Sequence, residues 1–276
     1  MKISGAISHP PLHQGCDCYI EGRAGEVTPI EGEQIGIQGE ELFKSKGDIK
    51  IYNDAFVKYS KTKLAYSDMG YIIKKDMPKM NNVLQLWKGG TQGLDQTSLK
   101  TLVSRIESKK GLAAWSREVH KIERIEKGIT DALKEQYIKL RALQQAKFAQ
   151  DKVKTIKLYR GTNGKKTGPK MKDEFIALKT KAKSSGKNWM KEGVEIQENS
   201  LVGYTQDKKL ADTFGKLSGE GGTTKASGVT MVREVNTRDI FVEVDSIFPT
   251  AKGAEEAEVI LIGGKTKTTL GNMDWE

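Results

Sequence analysis

The sequence predicts an α+β chain in which an N-terminal helical lobe precedes a β-rich lobe. Three observations carry this. Over residues 83–150 apolar side chains recur three or four apart, the helical period. From residue 153 the period falls to two, in runs rich in Val and Ile, the strand period. No internal repeat crosses that change. Helices and strands segregated into blocks are the α+β order, distinct from the alternating units of a parallel sheet. The expected division is a tail and linker over 1–50, a helical lobe over 51–150 and a β-rich lobe over 151–276.

The composition narrows the class. A 276-residue chain that is 37% hydrophobic and 30% charged can bury a core and keep a solvated surface. Its longest purely aliphatic run, Val259 to Ile262, falls far short of the ~20 residues of a membrane span. The first twenty residues hold no apolar core of a secretory signal, so an ordinary signal peptide is not expected. The net charge of +10, spread along the chain, favours polyanions or phosphates, or is simply a solvated surface. Both cysteines lie in one Cys-x-Cys, which excludes a disulfide-stapled fold.

Taken in order, the first segment stands apart. His9, His13, Cys16 and Cys18 fall within ten residues, a candidate zinc site by donor type. The spacing is cramped and matches no standard finger. Residues 25–50 are rich in Gly and Glu and read as linker or irregular loops. Residues 51–82 leave helix and strand both open. Thr97 or Ser98 can cap a helix through Leu99, Leu102, Val103 and Ile106, which Gly111 breaks. A longer helix follows, with Val119, Ile122, Ile125, Ile129, Leu133, Tyr137, Leu140 and Leu143 on one face and Lys and Glu on the other. Trp87, Trp115 and His120 read as packing residues. Strands are expected near 154–160, 200–205, 229–235, 239–245 and 257–263.

Three of these strands carry groups with chemistry. Ile156, Leu158 and Arg160 share a face, so Arg160 lies in phase with buried aliphatics. Such an arginine is costly unless it is paired, binds an anion or turns to the surface at the strand end. Gly161 beside it lets a ligand approach closely. Next, Gly203-Tyr204-Thr205 runs into Asp207, a helix cap, and a helix whose Leu210, Ala211 and Phe214 face inward. Last, Glu256 and Glu258 share a strand face with Ile260 and Ile262. Two like charges on a core-side face raise at least one pKa and mark a functional site, unless that strand end is solvated.

This ordered set is a strand ending Leu-Tyr-Arg-Gly, a Gly-Tyr-Thr-x-Asp-x-x-x-Ala-x-x-Phe-Gly unit, then Glu-x-Glu-Val-Ile-Leu. It resembles the R-S-E class of mono-ADP-ribosyltransferases over roughly residues 83–265. The resemblance implies a mixed β-sandwich ADP-ribosyltransferase fold with NAD+ as co-substrate and no required metal. It implies that Arg160 holds the NAD phosphates and that Gly161 and Thr162 lie against the nicotinamide end. It gives Glu258 as the catalytic glutamate on the ribose 2′-hydroxyl, and Glu256 as the upstream glutamate that specifies arginine as acceptor. Phe214 packs behind the site with Gly203, Tyr204 and Thr205 lining it, the loop 216–228 lies over NAD, and Phe248 in the loop 246–255 faces the acceptor. The family has a serine where this chain has Gly203, and that serine helps to fix the catalytic glutamate. Thr205 keeps a hydroxyl, and Tyr204 can offer an aromatic ring or a hydroxyl.

The His9-Pro-Pro…Cys16-x-Cys18 segment resembles the C-terminal end of Mu F-like phage head-morphogenesis proteins, over about a dozen residues. Together the two resemblances imply a phage-borne or toxin-type enzyme that moves ADP-ribose from NAD to an arginine of a host or target protein. It would be associated with a virion through the phage head, or secreted through a secretion machinery, and act in the target-cell cytoplasm. Two other readings stay open: an NAD glycohydrolase on the same scaffold, and a non-enzymatic phage head or nucleic-acid-binding protein, which the charge suits. A glycosidase fits less well, because carboxyls two apart on one strand cannot flank a bond.

Overall fold

The structure, a computed structural model, describes residues 36–89, 94–112, 119–163, 194–216, 228–249 and 257–271. Seven α-helices come first: α1 (Gly39–Leu42), α2 (Lys46–Ser60), α3 (Tyr66–Asp76), α4 (Pro78–Lys88), α5 (Leu94–Ile106), α6 (Val119–Gly128) and α7 (Asp131–Gln150). Then follow β1 (Thr155–Asn163), β2 (Val194–Thr205), α8 (Lys208–Lys216), β3 (Gly228–Asn236), a 3-10 turn (Thr237–Asp239), β4 (Ile240–Glu243), α9 (Val244–Ile247) and β5 (Glu258–Gly271). The chain is thus mixed α and β, with nine α-helices and one five-stranded sheet among the described residues.

Several local expectations need correction. The linker expected up to residue 50 is helical from Gly39, and a boundary at 50/51 falls inside α2. The Ser45 hydroxyl caps α2 by accepting from the Asp48 amide at 3.1 Å, and Tyr52, Ala55 and Tyr59 bury its inner face. Residues 51–82, left open by the sequence, are helical over most of their length. Helix α5 starts at Leu94, upstream of Thr97 and Ser98. Ser98 is instead buried and donates to the Ile125 carbonyl on α6 at 3.2 Å. The long helix expected through 119–143 is two helices. Thr130 leaves the helical region (φ −109°, ψ 157°), and its hydroxyl accepts from the Leu133 amide at 3.1 Å to restart the chain as α7. Residues 244–247, expected as the end of a strand and the start of a loop, form the short α9.

All strand pairings among the described residues are antiparallel, where a mixed sheet was the expectation. The pairings close a ring: β1 with β3, β3 with the far end of β5, β5 with β2, and β2 with β1. Strand β5 lasts 14 residues because it belongs to both halves of that ring. Leu158, Val202, Tyr204, Val235, Val259 and Leu261 fill its interior. The alternate residues Leu201, Ile260 and Ile262 face outward into a larger core shared with the helices.

Helix α7 anchors that shared core. It is buried almost all round between Leu140 and Phe148, polar residues included, so its exposed Lys and Glu residues are confined to its first half. The polar residues are buried because each finds a partner. Arg141 has no exposed surface. It donates to Glu107 Oε1 at 3.1 Å, to the Arg238 carbonyl at 2.7 Å and to the Ile240 carbonyl. Gln145 donates to the Thr237 carbonyl at 2.7 Å, and Gln144 to the Glu243 carboxylate at 3.1 Å. One face of α7 is therefore bonded to the segment 237–243.

Arg141→Ala removes the cation that pairs with the buried Glu107 carboxylate, leaving it the Tyr137 hydroxyl, and takes a donor from each of the two carbonyls. It should cost about 3–5 kcal/mol in urea unfolding, the range for breaking a buried pair. A loss below about 1 kcal/mol, as for a surface pair, would show that the Arg141 bonds add little to the docking of the two lobes. Glu243 supplies a pH test. Burial lifts its carboxyl above the usual 4.5, against the hydrogen bonds from Tyr66, Gln144 and Gln206. The protonated form therefore stabilises the fold at low pH, and that contribution is lost as the pH rises through the folded value. Glu243→Gln, neutral throughout, should gain in stability on wild type between pH 4.5 and neutrality; a constant difference would contradict this.

Candidate functional site

The sheet opens where β1 leaves β2. These strands share one paired position, Tyr159 with Thr205, whereas β1 stays with β3 over nine. The cleft at this splayed end has a volume of about 130 Å³. It is lined by Tyr159, Arg160 and Gly161 of β1, Gly203, Tyr204 and Thr205 of β2, Leu210 of α8 and Glu258 of β5. Three motifs separated by up to ~100 residues thus meet in one place. The volume is below the roughly 300–1,000 Å³ of a whole small-molecule pocket. It suits one ring or one sugar.

Arg160 is held by a buried network. Its guanidinium lies 3.5 Å from Glu198 Oε1 and over the Tyr204 ring, and about a third of the side chain is exposed. The same Glu198 carboxylate accepts from Arg233 at 2.8 Å, from the Tyr204 hydroxyl at 2.6 Å and from Thr266 at 3.4 Å. The β2 strand reaches this geometry through a bulge at Asn199–Ser200 opposite Gly263. A Cβ on Gly263 would fall 1.7 Å from the Asn199 carbonyl, so a larger residue there would force the strands apart. Tyr204 is not available as an acid or base: its hydroxyl is committed to Glu198, and burial pushes its pKa well up. The Thr205 hydroxyl accepts from the Asp207 amide at 3.0 Å, and Asp207 caps α8 as expected, accepting from the Lys209 amide at 2.7 Å.

Glu258 is gripped from the helical side. The Trp87 indole N–H donates to Glu258 Oε1 at 2.7 Å. The Glu258 amide donates to Asp245 Oδ2 at 2.8 Å, and the other oxygen of Asp245 pairs with Lys88 at 3.4 Å. Consecutive residues of α4 thus fix both the side chain and the backbone of one glutamate. Ala257 just before it sits at φ +44°, a left-handed conformation that costs a non-glycine residue about 1 kcal/mol or more. Gly203 lies against the same carboxylate: a Cβ there would meet Glu258 Oε1 at 2.5 Å. The glycine makes room for a glutamate that is held from the opposite side.

Some expected residues fall elsewhere. Glu256, the loop 250–256, and His9, His13, Cys16 and Cys18 lie outside the described residues, as do the side chains of Thr162, Phe214 and His120. No His, Cys, Asp and Glu cluster fit for a metal exists among the described residues. Phe248 packs partly buried on the main core near Gly70 and is not among the lining residues of the cleft. Trp87, expected as packing alone, was missed because it ends the α4 stripe of Met80, Val83 and Leu84, where an aromatic reads as core. Arg233 was missed as well, although it alternates with Met231 and Val235 in the same pattern that singled out Arg160.

Gly203→Ala should leave the unfolding free energy within about 1 kcal/mol of wild type, because only a flexible carboxylate must give way. A crystal structure of the variant should show that carboxylate displaced from Trp87. An unmoved carboxylate, or a loss of several kcal/mol, would overturn the assignment of tight contact. No helix of the described residues is long and apolar enough to cross a membrane. No protein-family model matches the chain, and no curated protein or solved structure does so either.

Proposed function

We propose that the chain is a mono-ADP-ribosyltransferase that uses NAD+ to modify an arginine on a target protein. The observation that carries this reading is the meeting of Arg160, Gly203-Tyr204-Thr205 and Glu258 around one cleft. These are the three motifs, distant in sequence, through which the chain resembles that class.

The chemistry follows from the groups. Arg160, braced by Glu198 and partly exposed, binds a phosphate oxygen of NAD. The nicotinamide enters the cleft beside Gly161, whose lack of a side chain permits backbone contact. The C1′–N bond breaks with its electron pair passing to the ring nitrogen, so nicotinamide leaves neutral and positive charge develops on the ribose. Glu258 accepts the 2′-hydroxyl and stabilises that cation electrostatically. A guanidinium nitrogen of the acceptor then bonds to C1′ and loses a proton to Glu256. No step requires a metal. The N-terminal resemblance to phage head proteins supports delivery from a virion or by secretion, with action in the target-cell cytoplasm.

The test is incubation of the full chain with labelled NAD and a mixed lysate or a small guanidine acceptor. Protein labelling is expected in wild type. Glu258→Gln should lower kcat roughly 10²–10³-fold, the range for removing one transition-state stabiliser. Glu256→Gln should abolish labelling while NAD cleavage survives, and Arg160→Lys should raise KM for NAD about tenfold by losing the forked donor. Release of ADP-ribose without labelling would make the protein a glycohydrolase. A folded sample that neither labels protein nor consumes NAD would refute the proposal and leave a structural phage protein.

A further inference from the structure

We infer that Trp87 is the positioning residue for Glu258, doing from the helical lobe what a strand hydroxyl would do from within the sheet. The inference rests on the proposed role of Glu258 and assigns a partner to it. Three observations support it. The indole N–H donates to Glu258 Oε1 at 2.7 Å, a charge-assisted bond of good length. The position facing that oxygen from β2 is Gly203, which has no side chain to hold it and whose Cβ would collide with it. The indole is itself fixed: it lies half-buried against the main core, and the Lys100 ammonium sits 5.0 Å from its ring centre.

An indole suits this task for a chemical reason. It donates one hydrogen bond, accepts none and does not titrate, so it cannot exchange a proton with the carboxylate it holds. It orients Oε1 and favours the ionised form, the form that stabilises a cationic ribose. Among the described residues, charged groups near the glutamate and its indole partner come from four elements: Lys88 on α4, Lys100 on α5, Arg160 on β1 and Asp245 on α9. Lys100 is held below the usual lysine range by burial and by the nearby Arg160 charge. Trp87 supplies the directional contact within this mostly cationic surround.

The test uses the full chain labelled with ¹⁵N-tryptophan. The indole signal lost in Trp87→Phe is thereby assigned, and in wild type it should move with a single carboxylate titration. Glu258→Gln should abolish that movement. With NAD, Trp87→Phe should lower kcat about 10- to 100-fold with KM changed less than about threefold, and the acid limb of the rate profile should shift to higher pH. Trp87→His, which restores an N–H, should recover part of the rate and guards against a folding defect. A Trp87 signal indifferent both to pH and to Glu258→Gln would overturn the inference, as would a Trp87→Phe rate equal to wild type. A signal that titrates in a protein without NAD turnover would support the contact and sink the enzymatic reading instead, so the two failures are distinguishable.

Discussion

A guanidinium with no exposed surface needs every one of its bonds inside the protein. Arg141 finds them on two sides at once, in the Glu107 carboxylate that follows α5 and in the carbonyls of Arg238 and Ile240 that lead into β4. Those bonds are directional, so they set the distance and the rotation of the helices against the strands, whereas apolar packing alone tolerates sliding. Gln144 and Gln145 repeat the same connection one turn later. Helix α4 packs on α7, and its last turn carries Trp87 to the first residue of β5. The geometry around Glu258 therefore depends on a buried polar cluster none of whose members lines the cleft.

The cleft has two kinds of support. On the sheet side, Glu198 gathers two arginines, a tyrosine and a threonine, and so fixes Arg160 from behind. On the helix side, Trp87 and the Lys88–Asp245 pair fix Glu258. The cationic and anionic members of the site are thus braced by separate networks. In the proposed reaction the first would meet phosphate and the second developing positive charge.

Much of this was legible in the sequence, for reasons that differ by residue. Period-two alternation located β1 and the face of Arg160, and it set Ile260 and Ile262 opposite to Val259 and Leu261, as the two cores confirm. Asp207 as a cap was legible because capping is local. Thr130 was not, since Ile129 and Leu133 continue the helical period across the break. The β2 bulge was hidden because a bulge depends on its partner strand, here on Gly263, ~60 residues away. Trp87 was misread because its apolar neighbours explain its burial without any need for its N–H. A hydrogen bond from the rim of a core to a residue 171 positions later leaves no periodic trace.

The contact between Gly203 and Glu258 also bears on how such a site can change by substitution. A serine at 203 could hold the glutamate from the strand, but its Cβ would first displace the carboxylate from the indole. A chain without the indole but still with glycine would lose the indole contact and gain no strand hydroxyl in its place. The two positions are therefore epistatic: the strand arrangement and the helix arrangement are alternative solutions separated by a poor intermediate. A lineage that adopts the indole ties its helical lobe to the position of this one carboxylate, and the freedom of that lobe to diverge is reduced accordingly.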